Sequence, residues 1–324
     1  MKKGKLFILV GPTAVGKNTL ISLAAQQVDD FVRMPSATTR QPREGEIPGV
    51  SKVFLTEEEF DENIRNNQFV EWQVIHGHRY GVLKNIVQAR IDEGKDYVVD
   101  VEVLGAVALK KLYGKNAILI FVLPPSLEAL EERIKSRNAE SDDEIYLRLA
   151  RSKAEINFLP FCDYVVLNDD LQTAVNELSE LVLFERGVLN DYVSRELSIN
   201  AEVCFLDNDN KLLVDESGAA DILSLPIKDK SLAVRQVEEF FKINAINAVL
   251  LNDKSFDYEQ NKGMEMAQPM WVDFDFSMNY IGIRYLFLAK LSGNSLNRKS
   301  ITLDELSAKN EEGKFLADLI GKYN

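Results

Sequence analysis

The segment that most constrains the fold is an apolar run that breaks into a glycine-rich turn and continues as a helical pattern. The run KLFILVG spans Lys5 to Gly11, and the turn after it reaches Gly16 and Lys17 before the apolar spacing becomes helical. Two glycines at this spacing, followed by lysine, let backbone N–H groups and a helix N-terminus face phosphate oxygens. The segment therefore predicts a strand, a phosphate-binding loop and a helix, in that order.

The predicted loop would bind the phosphates of ATP through a run of consecutive residues. Lys17 would reach the terminal phosphates. Asn18 stands where a serine or threonine usually helps to hold Mg²⁺, and Thr19 comes one position later, as in the GKGT variant of this loop. Thr19 is therefore the predicted metal-binding residue of the segment. The predicted ATP-binding residues of the loop are Gly11, Pro12, Thr13, Ala14, Val15, Gly16, Lys17, Asn18 and Thr19.

Apolar strands alternate with helical stretches through the first half of the chain. Three runs, 5–11, 95–103 and 116–125, are apolar on both faces, as buried parallel strands are. This alternation predicts an α/β fold in which crossover helices cover a parallel sheet. Further elements are expected as a strand at 162–169 and helices at 17–27, 57–66, 82–93, 127–137, 141–157 and 171–186.

The pattern changes after a polar connector at 187–200, whose sequence is compatible with a helix. Beyond it, 201–214 reads as a hairpin around Asp-Asn-Asp-Asn. We therefore predict two domains, residues 1–190 and an α+β domain over 200–324, with a boundary near residue 195. The other elements expected in the second domain are a helix at 231–243, strands at 246–251, 270–276 and 280–291, and a loop at 255–269.

Composition argues against several kinds of partner and location. The net charge is −13, whereas a surface for duplex nucleic acid needs an excess of Lys and Arg, so we expect no nucleic-acid partner. No segment reaches the roughly 18 apolar residues of a membrane helix, so no membrane partner is expected. The apolar run Leu6–Val10 is too short for the core of a signal peptide. The two cysteines, Cys162 and Cys204, form no disulfide framework, which favours a cytoplasmic location.

The stretch PSATTRQPREGEIPG at 35–49, together with the phosphate loop, resembles the guanylate kinase family. The resemblance continues in order through FVEW (69–72), RYG (79–81), VVDVEVLGA (98–106), ILIFVLPPS (118–126), ERIKSR (132–137), RLARSKAE (148–155) and VVLNDDL (165–171). It implies an enzyme that transfers the γ-phosphoryl group of ATP to GMP with Mg²⁺. It also implies a P-loop sheet that carries a GMP-binding insert and a helical lid.

A GMP site follows from the same resemblance. Arg40 and Arg43 are three positions apart after a turn-rich run, a pair suited to binding one phosphate group. Glu71 is similar to the carboxylate that reads guanine in the family, with Ser36 meeting O6. The GMP-binding residues implied are Ser36, Arg40, Arg43, Lys52, Glu71, Tyr80, Asp100 and Glu102.

Asp100 and Glu102 form an acidic pair that the resemblance places near the guanine base and the Mg²⁺ ion. Because they lie two positions apart in the predicted strand 95–103, we expect both side chains on one face of that strand. Asp100 is the second predicted metal-binding residue, with Thr19.

Three arginines resemble those of the mobile lid of nucleoside monophosphate kinases. Arg133 and Arg137 are one helical turn apart and share a face, and Arg148 begins a second helix after the acidic tip NAESDDE. The resemblance implies that they act with Lys17 as catalytic residues, because phosphoryl transfer depends on positioning and on stabilising negative charge. Asn168, in LNDD, matches a residue near the adenine of ATP.

Three positions depart from the family near the acceptor. Lys52 stands where a phosphate-binding tyrosine is usual, Val82 where a serine is usual, and Ala37 replaces a small polar residue. Each lost neutral hydrogen bond costs roughly 0.5–1.5 kcal/mol, so we expect weaker GMP binding with guanine readout intact. Two other functions stay open, namely a kinase of the same fold with a different acceptor and a non-catalytic guanylate-kinase-like binding module.

The segment RQVEEFFKI at 235–243 resembles the helix of Nudix hydrolases, whose signature reads R-E-U-x-E-E-x-G-U, with U a bulky apolar residue. Gln236 and Phe240 replace two of the three metal-binding glutamates and leave Glu239, and a single carboxylate holds Mg²⁺ weakly. The resemblance therefore implies an accessory domain that binds or packs without hydrolase chemistry. An ordinary amphipathic helix explains apolar positions such as Val237 equally well. The sequence leaves the oligomeric state open.

Overall fold

The computed structural model divides the chain into two compact units. The first unit combines Met1–Pro124 with Cys162–Val193, and the second combines Pro125–Phe161 with Ser194–Asn324. Among the residues that the structure describes, no helix is both long and apolar enough to cross a membrane. These residues are 3–75, 77–136, 142–206, 212–214, 222–227, 233–243, 248–250, 271–277, 280–291 and 299–301.

Strands and helices alternate in the first part of the chain, and strands predominate after residue 195. The strands are β1 Leu6–Val10, β2 Val32–Arg33, β3 Ser36–Thr38, β4 Lys52–Phe54, β5 Phe69–Ile75, β6 His78–Leu83, β7 Tyr97–Asp100, β8 Ala117–Leu123, β9 Tyr164–Leu167, β10 Glu196–Leu206, β11 Leu212–Val214, β12 Ile222–Pro226, β13 Ala248–Leu250, β14 Trp271–Ser277, β15 Tyr280–Leu291 and β16 Lys299–Ile301. The helices are α1 Lys17–Gln27, α2 Glu57–Arg65, α3 Lys84–Asp92, α4 Val103–Tyr113, α5 Leu127–Lys135, α6 Asp142–Ile156, α7 Leu171–Glu185 and α8 Ala233–Ile243.

A five-stranded parallel sheet forms the centre of the first unit, in the order β2-β7-β1-β8-β9. Every residue of β1 and β8 is buried, because helices cover both faces of the sheet. This confirms the predicted α/β fold with a parallel sheet of the P-loop type. The apolar runs in the sequence located β1, β8 and β9 to within about two residues at each end, whereas β7 ends three residues before its predicted end and β2 was not predicted.

Helix α4 is an element that the sequence analysis missed. Strand β7 ends at Asp100, and Glu102 is the residue that precedes α4. The strand predicted over 95–103 is therefore confirmed at 97–100, but its extension past Asp100 was wrong. Asp100 and Glu102 therefore do not share a strand face. The run after Glu102 is helical because its residues at three- and four-residue spacing are buried while Leu104, Val107 and Leu112 are exposed.

A smaller sheet in the first unit has the order β4-β3-β6-β5, in which only the β3–β4 pair is parallel. Helix α2 packs on it through Phe60, whose ring stacks on that of Phe69 at a centroid distance of 4.4 Å. Gly81 permits this packing, since a Cβ atom there would lie 2.6 Å from the Phe69 ring. This sheet occupies the segment in which the sequence predicted a GMP-binding insert.

The second unit contains helices α5 and α6 and a seven-stranded sheet. The sheet has the order β13-β15-β10-β11-β16, with β12 on β10 and β14 on β15. Strands β10 and β15 run parallel from Glu196 opposite Tyr280 to Leu206 opposite Lys290. The antiparallel pairing of Leu206 with Leu212 confirms the predicted hairpin.

Other predictions for the C-terminal half had mixed outcomes. Helix α8 and strands β13, β14 and β15 confirm the predicted elements. The helix-compatible interpretation of 187–200 was wrong, because 188–195 is irregular and β10 begins at Glu196. Strands β12 and β16 were not predicted, and the predicted loop at 255–269 lies outside the described residues. The two strands are short, and what determines them is pairing with distant strands rather than a local pattern.

Tyr285 links the sheet of the second unit to helix α6. It lies within β15, its side chain is completely buried, and its hydroxyl donates to the carbonyl oxygen of Ile156 over 2.8 Å. Ile156 is the last residue of α6, where backbone carbonyls have no partner within the helix. The tyrosine supplies one of those missing partners, so the end of α6 is held by β15.

The substitution Tyr285→Phe is expected to destabilise the second unit by about 1–3 kcal/mol, because it leaves a buried carbonyl unpaired. Urea unfolding followed by circular dichroism would measure the loss. Tyr280→Phe is the matched control, since Tyr280 lies on the same strand and its hydroxyl has no hydrogen bond to a described residue. Equal stability of the wild type and Tyr285→Phe would contradict this account of the contact.

Candidate nucleotide-binding site

Two glycines determine the backbone conformation of the phosphate loop, and any other residue at either position would be strained. Gly11 has φ +137°, and a Cβ atom on it would lie 2.4 Å from the carbonyl oxygen of Val122. Gly16 has φ +102° and directly precedes α1, which begins at Lys17. The loop therefore delivers the N-terminus of α1 to one end of β1. The backbone N–H groups at the N-terminus of a helix suit a phosphate.

The side chain of Lys17 folds back over the phosphate loop that precedes it in the sequence. Its ammonium donates to the carbonyl oxygen of Gly11 at 2.5 Å and to that of Pro12 at 3.0 Å. Within the loop, Pro12, Ala14 and Val15 are buried and Thr13 is exposed. The side chain of Lys17 is thus placed over the turn, where it can reach an anion held by the loop.

Asn168 supports the loop from the end of β9. It is 5% exposed, and its amide nitrogen donates to the carbonyl oxygen of Val15 over 2.7 Å. A Cβ atom at Gly16 would lie 2.4 Å from that same nitrogen, so the glycine and the asparagine are packed against each other. Asn168 therefore fixes the shape of the loop, while its predicted place near adenine stays a prediction.

The substitution Asn168→Ala is expected to cost about 1–3 kcal/mol of stability, because Val15 loses its buried donor. A loop that is less fixed should also raise the KM for ATP more than the KM for the acceptor. Chemical unfolding and steady-state kinetics would measure the two effects. Gln172→Ala serves as the control, because that side chain bonds only to exposed Asn176 among the described residues. Unchanged stability and an unchanged KM for ATP would contradict a supporting role.

A cavity of about 240 Å³ lies next to the phosphate loop in the first unit. It brings together six residues predicted to bind nucleotide or metal, which are Asn18, Ser36, Lys52, Glu71, Tyr80 and Asp100. Val82, singled out as a departure from the family, also lines it. The remaining lining residues are Arg33, Met34, Gln73, Gly81, Val99 and Val101.

Glu71 is a half-buried carboxylate in the wall of this cavity. Burial, and then the negative charge of Glu102, raise the pKa of Glu71 to about 7. Gly105 of α4 makes room for it, since a Cβ atom there would lie 2.7 Å from the Glu71 carboxyl carbon. No described residue donates a hydrogen bond to Glu71. The carboxylate is therefore available to two donors on a ligand.

Arg33 is a cavity residue that the sequence analysis missed. One of its guanidinium nitrogens donates to the Asn18 side-chain oxygen at 2.5 Å and forms an ion pair with Asp100. Strand β2 places it there by pairing with β7, with Arg33 opposite Val98. A two-residue strand has no readable periodicity, so no local signal in the sequence indicated this position.

The side chain of Arg40 is held in place by Glu46. Like Arg33, Glu46 is a site residue that was not predicted from the sequence. Arg40 is 9% exposed and donates to both Glu46 carboxylate oxygens, at 2.7 and 2.5 Å. Arg40, followed by the backbone N–H of Arg43, lowers the pKa of Glu46 to about 2. The side chain of Arg43 is exposed. Glu46 thus stays ionised and orients the first arginine of the predicted phosphate-binding pair.

The remaining predicted residues lie elsewhere. Thr19 is exposed in the first turn of α1, and Glu102 precedes α4. Arg133 on α5 and Arg148 on α6 are half-buried residues of the second unit. Arg137 lies outside the described residues. The catalytic role of the three arginines stays a prediction.

The first unit has a parallel sheet with a glycine loop between β1 and α1, beside a cavity lined by two carboxylates and two cations. This arrangement defines a P-loop protein of the nucleotide-binding class. Comparison with known proteins identifies the family. A family model described as guanylate kinase matches residues 3–185, so the chain belongs to the guanylate kinase family.

Three similar proteins illustrate the relationship. Guanylate kinase of Thermotoga maritima is 40% identical over 185 residues, which cover 57% of this chain and 89% of that protein. Guanylate kinase of Synechocystis is 41% identical over 180 residues, covering 56% and 94%. A crystal structure of guanylate kinase from Anaplasma phagocytophilum is 26% identical with a TM-score of 0.44, and the match covers 57% of this chain and 87% of that one.

Proposed function

We propose that this chain is an ATP:GMP phosphotransferase, which moves the γ-phosphoryl group of ATP to GMP and releases ADP and GDP. The observation that carries the proposal is the junction of two sites. Asn18, next to the lysine of the phosphate loop, lines the same cavity as Glu71. A donor bound by the loop and an acceptor bound in the cavity would therefore be adjacent, as in-line phosphoryl transfer requires.

The cavity has polar groups that suit guanine. The Watson–Crick edge of guanine carries one acceptor, O6, beside two donors, N1–H and the 2-amino group. An ionised Glu71 accepts from both donors, and the Ser36 hydroxyl can donate to O6. Adenine presents a donor at position 6 and no proton at N1, so it would leave these groups unpaired. The site therefore favours GMP over AMP.

Positively charged side chains would bind the phosphates of both nucleotides. Lys17 and the N-terminus of α1 would bind the ATP phosphates. Arg40 and Arg43, with the Tyr80 hydroxyl, would bind the phosphate of GMP. Arg133, Arg137 and Arg148 complete the proposed catalytic set as lid residues, in which charge stabilises the transferring phosphoryl group.

The chain's oxygen donors fit a hard divalent cation such as Mg²⁺. Side-chain oxygens of Asn18 and Asp100 converge on one nitrogen of Arg33, so both already face a positive charge. We propose that Asp100 and Thr19 hold the ion together with the nucleotide, and that Glu102 contributes nearby negative charge. When bound, the ion neutralises charge on the phosphate oxygens. Arg33 would have to release Asp100 for this to happen.

The KM for GMP is expected to rise as the pH falls from 8 to 6.5, by roughly threefold to fivefold. The pKa of Glu71 is about 7, so acid protonates the carboxylate and removes an acceptor that guanine needs. Steady-state kinetics at saturating ATP would measure the change. The KM for ATP over the same range is the control, and a KM for GMP that stays constant would contradict this role for Glu71.

We propose that residues 1–190 form the kinase domain and 200–324 an accessory domain of Nudix-like fold. The order of a hairpin, helix α8 and strand β15 supports that resemblance. In α8, Glu239 is exposed, and Gln236 and Phe240 stand where the resemblance expects the other two metal-binding glutamates. The accessory domain would thus bind or pack without hydrolysing a substrate. We further propose a cytoplasmic protein without nucleic-acid or membrane partners.

The proposed reaction is tested directly by separating its products. The purified 324-residue chain is incubated with ATP, Mg²⁺ and GMP, and the nucleotides are resolved by ion-exchange chromatography. Formation of GDP and ADP in equal amounts is expected. ADP without GDP would indicate ATP hydrolysis alone and would reject the proposed acceptor.

A further inference from the structure

Lys52 lies beside Ser36 in the wall of the cavity. Strands β3 and β4 run parallel with Ser36 opposite Lys52, which makes the two side chains neighbours. The Lys52 ammonium donates to the Ser36 hydroxyl oxygen over 2.5 Å. The lysine therefore points along the wall that would read the base, on the side where a hydroxyl meets O6.

The environment of Lys52 leaves it with unused donors. Burial, and then the positive charge of Arg33, lower the pKa of Lys52. An ammonium carries three donors, and Ser36 is its one hydrogen-bond acceptor among the described residues. Desolvating a cation in this way is costly unless a further acceptor is supplied. A ligand in the cavity can supply it.

We propose that Lys52, together with Ser36, reads the oxygen at position 6 of a 6-oxopurine and so determines base specificity, an inference that rests on the proposed kinase function. The cavity then offers donors at O6 and an acceptor, Glu71, at N1–H and the 2-amino group. This set matches the edge of guanine group by group. A charged donor also makes a stronger hydrogen bond to O6 than a hydroxyl alone.

The competing role for Lys52 is contact with the phosphate of GMP, as expected for its position in the family. The structure favours the base for two reasons. Lys52 lines the cavity with Ser36 and Glu71, whereas Arg40 and Arg43 do not line it. The Lys52 ammonium donates to Ser36, whereas Glu46 accepts from the Arg40 guanidinium and from the backbone N–H of Arg43. Tyr80, which is proposed for the phosphate, also lines the cavity, and the Lys52 ammonium lies 5.8 Å from the centroid of its ring. The hydrogen bond to Ser36 is therefore the contact that directs Lys52 to the base.

The test compares GMP with its 6-thio analogue, which differs only in carrying sulfur, a weak acceptor, in place of O6. The values of kcat/KM are measured for both acceptors with the wild type, Lys52→Met and the control Lys95→Met. Lys95 is an exposed residue whose ion-pair partner, among the residues that the structure describes, is Glu93. The wild type and the control are expected to prefer GMP by roughly tenfold or more. Lys52→Met is expected to reduce that preference to about twofold or less.

A preference that stays unchanged in Lys52→Met, with both acceptors weakened equally, would overturn the proposal in favour of phosphate contact. A wild type that does not distinguish the two acceptors would overturn it as well. If Lys52→Met does not fold, as judged by thermal unfolding, Lys52→Leu, which also lacks a donor, replaces it with the same expectation. Absence of GMP turnover by the wild type is a different result, which rejects the proposed kinase and is seen before any variant is made.

Discussion

Replacing Lys17 by alanine is expected to lower kcat for phosphoryl transfer by at least about a hundredfold, because the loop loses the charge that faces the terminal phosphates of ATP. The fold should survive, since the lysine side chain bonds to carbonyls of its own loop, Gly11 and Pro12, and is not part of the apolar core. Single-turnover kinetics with ATP and GMP would measure the loss.

The control for this variant is Lys95→Ala, which removes an exposed lysine whose ion pair contributes little to stability. Circular dichroism and thermal unfolding would establish that Lys17→Ala is folded. A folded Lys17→Ala protein with the wild-type rate would show that the loop is not the donor site.

Replacing Glu71 by glutamine is expected to lower kcat/KM for GMP by at least about a hundredfold. The glutamine amide offers one acceptor and two donors, so it cannot accept both hydrogen bonds from the guanine edge. Because the loss concerns the base, the KM for ATP should change little. Glu58→Gln is a matched control, since it makes the same exchange at an exposed residue of α2 that does not line the cavity. A Glu71→Gln enzyme with wild-type kcat/KM would remove Glu71 from the base site.

Although Glu71→Gln should lower activity, it should raise the free energy of unfolding relative to the wild type above pH 4.5. The pKa of Glu71 in the folded protein, about 7, is above its ordinary value of 4.5, so the folded state holds this proton more tightly than the unfolded state. Stability from this group is present below pH 4.5 and is lost as the pH rises through 7. Relative to the wild type, Glu71→Gln should therefore gain about 3 kcal/mol between pH 4.5 and pH 8. If the wild type loses stability as the pH rises and Glu71→Gln does not, the loss comes from the ionised Glu71 carboxylate, the same group that would accept from guanine.

The parallel sheet was predictable because its strands are apolar on both faces and its turns carry glycine. Helix α4 was not, since a short apolar run after Asp100 fits a strand or a buried helix equally well. Tertiary packing decides between them by burying Ala106 and Leu109 on one side. The acidic pair was misplaced for the same reason.

Much of the candidate site was predictable from motifs, and the rest depends on contacts between distant segments. Ser36, Glu71 and Tyr80 were found because they stand in recognisable stretches. Arg33 and Glu46 act through partners that only the folded chain supplies, a neighbouring strand in one case and a turn in the other. A family resemblance identifies site residues that related proteins share. Site residues outside the recognised motifs, such as Arg33 and Glu46, become visible only when the contacts of the folded chain are known.

The central claim is that one chain joins an ATP loop to a cavity that selects guanine. The most direct test is a coupled ADP-release assay with ATP and Mg²⁺, in which GMP, dGMP, AMP, UMP and CMP are offered separately. Turnover confined to GMP and dGMP is the predicted result. Comparable turnover with AMP, or none with any acceptor by a folded protein that binds ATP, would contradict it.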